Sequence, residues 1–179
     1  MEKYIAFIRG INVGGHNKVP MAELKNHLEH NGFENVVTYI NSGNVLVSST
    51  HTDVAEVKVQ FEAIILEAFE LKISVMIISL QDLSTALNHA PAWWDVDETA
   101  KHNAIFILPP VDVQTVYREI CDIKLPSEKV DIYGRVIFWS VPIEDYSAAS
   151  LSKVVRAKTL EKITVRNAKT TKKMLMIAQ

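Results

Sequence analysis

A single cysteine, Cys121, stands in the 179 residues, which excludes an intrachain disulfide and any cysteine-based zinc site. Its place inside an apolar helical pattern makes it a packed thiol rather than a nucleophile. A basic excess is also missing: 19 Lys and Arg face 21 Asp and Glu, for a formal net charge of -2. Proteins that hold duplex nucleic acid by neutralising phosphates normally carry the opposite balance. No apolar run approaches about 18 residues, and no basic, apolar and small-residue leader opens the chain. The expectation is a cytoplasmic protein without a membrane partner. No Gly-x-Ser-x-Gly elbow is present, and Ser42 has no base beside it in the sequence, so covalent catalysis has no positive sign. Neither a cofactor nor an oligomeric state can be read from these residues.

What is present is a regular alternation of apolar patterns. Tyr4 to Ile8 reads as a strand, and Met21, Leu24 and Leu28 recur at helical spacing after Pro20 until Asn31-Gly32 stops them. Val36 to Ile40 and Val45 to Val47 flank the turn signal Asn41-Ser42-Gly43 as a hairpin. Asp53 is placed to cap a helix carrying Val57, Phe61, Ile64 and Ile65, and Ile73 to Ile78 is a further strand. The order is β-α-β-β-α-β, the split βαβ motif of ferredoxin-like domains. After a linking helix through Leu80, Leu83 and Leu87, the second half repeats it. Its parts are a strand to Leu108, a helix capped by Asp112, and a hairpin around Gly134-Arg135. A helix from Leu151 to Ala157, a strand from Ile163 to Arg166 and a terminal helix from Thr170 to Ala178 complete it. The fold class expected is α+β, with two ferredoxin-like (alpha-beta plait) subdomains at residues 1–79 and 80–179.

Arg9 to Asn17 reads Arg-Gly-Ile-Asn-Val-Gly-Gly-His-Asn, between the first strand and the first helix. Glycine adopts positive φ without penalty, and successive backbone N–H groups in such a turn can form an anion-binding concavity. Gly10 and Gly15 have P-loop spacing, but His16 and Asn17 stand where the phosphate lysine and magnesium hydroxyl belong, so a P-loop NTPase is excluded. A looser anion site assisted by Arg9, His16 or Lys18 remains, and an arginine fork suits an oxyanion. If the protein is an enzyme, His16 is the default acid–base residue, being the one histidine beside the glycines. By simple topology, the loop after the first strand and the hairpin at Ser42-Gly43-Asn44 are expected at opposite ends of the sheet. A pocket using both would then need the second subdomain or a bend in the chain.

Other constellations carry less. His27 and His30 lie three apart on one helix without a third ligand, and read as solvated side chains rather than zinc ligands. Asp95, Asp97 and Glu98 read as an exposed acidic loop lacking the EF-hand glycine. A single-stranded RNA reading needs exposed aromatics on the central strands; Tyr4, Phe7, Phe106, Phe138 and Trp139 are the candidates, with Lys172 of the basic tail Arg156–Lys173. Strand alternation sets Phe138 and Trp139 on opposite faces, which would leave one of them exposed.

Arg-Gly-Ile-Asn-Val-Gly-Gly, Val-Pro-Met-Ala-Glu-Leu and Thr-Tyr-Ile-Asn-Ser-Gly-Asn-Val occur here in order, and the chain closely resembles the bacterial family called domain of unknown function 1697. The resemblance implies two ferredoxin-like subdomains and carries no established activity. The motif positions it implies are Arg9, Gly10, Asn12, Gly14 and Gly15, then Ser42, Gly43 and Asn44, then Arg166, Asn167 and Thr170. The family's last signature resembles Arg-Asn-Trp-Asn-Thr, and Ala168 and Lys169 replace its aromatic and amide here. With Lys18, these residues make the expected ligand site: a small anion such as a nucleotide or phosphorylated metabolite, with RNA contact and enzyme as alternatives.

Overall fold

The computed structural model describes residues 1–154 and 163–179. Two compact units divide it, Met1–Ser84 with Met174–Gln179, and Thr85–Lys173. The elements of the first are β1 (Glu2–Ile8), α1 (Met21–His30), β2 (Glu34–Tyr39), β3 (Asn44–Ser49), α2 (Val54–Phe69) and β4 (Val75–Ser79). α3 (Leu80–Asn88) follows, then β5 (Ala100–Ile107), α4 (Val113–Ile123), β6 (Lys129–Tyr133) and β7 (Val136–Pro142). A 3-10 helix (Ile143–Ala148), α5 (Ser150–Val154), β8 (Ile163–Asn167) and α6 (Ala168–Ala178) end the chain. The helix expected at Leu151–Ala157 is therefore described only as far as Val154.

Each unit holds a four-stranded antiparallel sheet, ordered β2-β3-β1-β4 in the first and β6-β7-β5-β8 in the second. The two orders correspond strand for strand, so the repeat read from the pattern is a repeat of topology, and both units are ferredoxin-like. Helix starts follow the local chemistry. Asp53 accepts from the Ala55 amide at 2.7 Å, and Asp112 accepts from the Thr115 amide at 3.0 Å, satisfying donors that the first turn leaves open.

In the first unit, Leu24 and Leu28 of α1 and Val57, Phe61 and Ile65 of α2 pack on Tyr4, Ala6, Ile8, Val45, Val47, Val75 and Ile77. The alternate residues of the same strands, Ile5, Phe7, Leu46, Met76 and Ile78, are buried as well. Strands buried on both faces read as continuous apolar runs, as β1 and β4 do. The second unit builds its helix-side core from Ile105, Ile107, Val116, Ile120, Ile137 and Trp139. Lys3 Nζ donates to the Ala178 carbonyl at 2.7 Å, placing a cation on the C-terminal end of α6.

Candidate glycine-loop site

The β1 loop and the β2–β3 hairpin lie at the same end of the first sheet, contrary to the expectation from the sequence. β1 pairs antiparallel with β3, with Phe7 opposite Asn44, so the exit of one strand necessarily faces the entrance of the other. The Ile8 N–H donates to the Gly43 carbonyl at 2.8 Å. Gly43 has φ +79, and a Cβ there would stand 2.9 Å from Ile8 Cβ, so the close approach itself requires glycine. Asn44, fully buried, closes the hairpin by donating from Nδ2 to Tyr39 O at 3.1 Å and Ser42 Oγ at 3.0 Å.

Asn12 ties the loop to the hairpin. Its Nδ2 donates to Val19 O at 2.9 Å and Asn41 O at 2.8 Å, while its Oδ1 accepts from the Val19 amide at 2.9 Å. Asn17 adds a bond from Nδ2 to Gly10 O at 2.9 Å. Both asparagines have positive φ, 56 and 48, a region that asparagine tolerates better than most residues. The loop is further held by Asn12 N to Asn17 O at 3.2 Å and His16 N to Val13 O at 3.1 Å. None of these bonds uses the Gly14 or Gly15 amide, both of which sit at the exposed tip.

A cavity of about 400 Å³ opens between loop and hairpin, lined by Asn12, Gly15, Lys18 and Asn41 with Val19, Pro20 and Met21. Lys18 is the one ionisable side chain among them. Asn12, Gly15 and Lys18 of the expected site line this cavity. Asn41 was not among the expected residues, because only the strand pairing carries it there, and Val19, Pro20 and Met21, next to Lys18 in the chain, read only as the start of α1. Arg9, Gly10, Gly14, Ser42 and Asn44 do not line the cavity. The equivalent junction of the second unit is an internal comparison. There Ile107 N donates to Arg135 O at 3.0 Å, just as Ile8 donates to Gly43. Residues 9–20 connect β1 to α1, whereas residues 108–112 suffice between β5 and α4. The long glycine loop is thus more than the topology needs.

Arg166, Asn167 and Thr170 belong to the second unit and serve its last helix. Asn167 Oδ1 accepts from the Thr170 amide at 2.7 Å, an N-cap of α6. Arg166 donates to Thr164 Oγ1 at 3.1 Å and Val165 O at 2.9 Å, and burial draws its pKa down to about 10. Ala168 is 1% exposed, so the position that the resemblance reserves for an aromatic is a buried one here. Ala168 also edges a second cavity, of about 610 Å³, whose charged lining includes Asp97, Glu98, Lys101 and Lys169. Asp95 is not simply an exposed acid: it pairs with Lys172 at 2.7 Å.

The RNA reading meets a physical obstacle. Tyr4, Phe7, Phe106, Phe138 and Trp139 are all at most 2% exposed, and none offers a face on which a base could stack. Phe138 and Trp139 do lie on opposite faces, but both are core: Trp94 packs edge-on against Phe138, and Trp139 Nε1 donates to Glu128 Oε2 at 2.6 Å. Lys172, ion-paired with Asp95, lies 5.5 Å from the centre of the Trp94 ring. His16 is exposed at the loop tip, and His27 stands edge-on to Phe69. Among the described residues, no group of three His, Cys, Asp or Glu could hold a metal ion, and no helix is long and apolar enough to cross a membrane.

These features define an α+β protein of two ferredoxin-like units, the first bearing an extended glycine loop clamped to a hairpin. The chain belongs to the family described as protein of unknown function (DUF1697), which matches residues 1–138. That span contains both the loop and the hairpin and ends before Arg166. The chain is similar over 99% of both lengths to a solved structure, the conserved bacterial protein SP0830 from Streptococcus pneumoniae, at 33% identity and a TM-score of 0.89. No curated protein matches it.

Proposed function

We propose that the protein binds a small anionic ligand, a nucleotide or phosphorylated metabolite, at the glycine loop. The observation that carries this reading is the cavity lined by the exposed Gly15, with Lys18 as its single charge. A glycine backbone and one cation in the lining of a concave site suit a phosphate or carboxylate. Asn12 acts as a positioning residue, since its polar atoms are occupied in clamping the loop. Arg166, Asn167 and Thr170 lie in the second unit, and the reading rests on the first unit by itself.

A thermal-shift screen of nucleotides and phosphorylated metabolites tests it. A ligand at 100 times its Kd stabilises the native state by about 2.7 kcal/mol, and each kcal/mol moves Tm by roughly 2–4 °C in a chain of this size. Lys18→Ala abolishes the shift if the reading is right. A screen without any shift, or a shift that survives Lys18→Ala, refutes it.

A further inference from the structure

The walls of the cavity say more about the ligand than its charge does. Val19, Pro20 and Met21 give the cavity an apolar wall, in a lining that also holds Asn12, Gly15, Lys18 and Asn41. Val19 and Met21 are themselves core residues, 1% and 9% exposed, so that wall is backed by packed side chains. Each of the two loops also holds a large apolar side chain out to water: Val13 is 65% exposed and Ile40 51%. Ile40 does so at φ 49, a conformation costly for a β-branched residue. The volume, about 400 Å³, equals roughly a dozen waters at about 30 Å³ each, far more than a bare oxyanion displaces. It falls in the ~300–1,000 Å³ range of sites for organic ligands, which are mainly apolar with a few polar anchors.

Resting on the anion-site reading above, we infer that the ligand is amphiphilic: a phosphate monoester that also carries a planar ring with apolar faces, as in a nucleoside monophosphate. One lysine and the Gly15 backbone match a single phosphate group; a triphosphate would bring charge that nothing else lining the cavity offsets. Pro20 and the exposed part of Met21 take the planar ring, with Val19 packed behind them, and the Asn41 amide can bond its polar edge.

Calorimetric titration of the full chain with nucleoside monophosphates, the matching nucleosides and inorganic phosphate separates the parts. The nucleoside monophosphate is expected to bind at least about tenfold more tightly than either fragment, about 1.4 kcal/mol. Met21→Ala weakens the monophosphate and the nucleoside but not phosphate; Met21→Leu, which keeps the apolar volume and the fold, restores both. Lys18→Ala weakens the monophosphate and phosphate but not the nucleoside. Phosphate binding as tightly as the monophosphate overturns the amphiphile inference and leaves the anion site standing. A nucleoside that matches the monophosphate, with Lys18→Ala silent, overturns the anion reading. Absence of binding by all three probes overturns the inference, and the anion site itself then stands or falls with the wider screen of phosphorylated metabolites.

Discussion

Asn12→Ala is expected to separate the glycine loop from the hairpin at a cost of about 3–7 kcal/mol. The substitution deletes two donated hydrogen bonds, to Val19 O and Asn41 O, and one accepted from the Val19 amide. The two carbonyl contacts contribute about 0.5–1.5 kcal/mol each. Val19 is buried, so its orphaned N–H adds roughly 1–3 kcal/mol. Alanine at φ 56 adds a further ~1 kcal/mol of left-handed strain that asparagine bears more easily. Asn12→Gly makes the same polar deletions without that strain, so the difference between the variants isolates the backbone term. Urea unfolding measures the total, and native-state hydrogen exchange locates it: the Ile8 amide, bonded to Gly43 O, should lose protection before the α2 core does. If Asn12→Ala lies within about 0.5 kcal/mol of the parent, the range of an ordinary surface change, the clamp is not what holds the two loops together.

Two further outcomes are expected in the second unit. Glu128, 3% exposed, accepts at Oε1 from the Leu125 and Ser150 amides and at Oε2 from Trp139 Nε1 and the Ser150 hydroxyl. Glu128→Gln turns one acceptor oxygen into an NH2 facing two donors, and should cost about 2–5 kcal/mol in urea unfolding; an unchanged midpoint would discount the network. Asp112 is held below the usual carboxylate range, chiefly by the Thr115 hydroxyl and amide. Because its native pKa is the lower one, its contribution is complete above the unfolded value of about 3.9 and is lost as pH falls through the native pKa. The stability gap between the parent chain and Asp112→Ala should therefore narrow on acidification below about pH 4. A gap that stays constant from neutral pH down to pH 2 would rule out the charged cap.

The local elements were largely legible because their causes are local. Met21, Leu24 and Leu28 define a helix face by spacing alone, Asn31-Gly32 stops it, and Asp53 and Asp112 begin helices by offering a side-chain oxygen to the first turn. The doubled β-α-β-β-α-β order follows from those elements, and with it the fold class. Glu128 is different: no periodicity marks a carboxylate whose donors come from Ser150 and Trp139, elements distant in the chain. The aromatics were also ambiguous. Strand alternation gives the face on which Phe138 or Trp139 lies, but cannot say whether that face is covered.

The glycine loop shows the division most clearly. A loop rich in positive-φ positions at a strand-to-helix junction is a local matter, since glycine and asparagine favour that conformation wherever they stand. Tertiary structure alone decided that the hairpin stands beside it. The cause is the antiparallel pairing of Phe7 with Asn44, a contact across 37 positions that depends on the order in which strands assemble. That pairing brings two separate motifs to one cavity, lined by both charged and apolar residues.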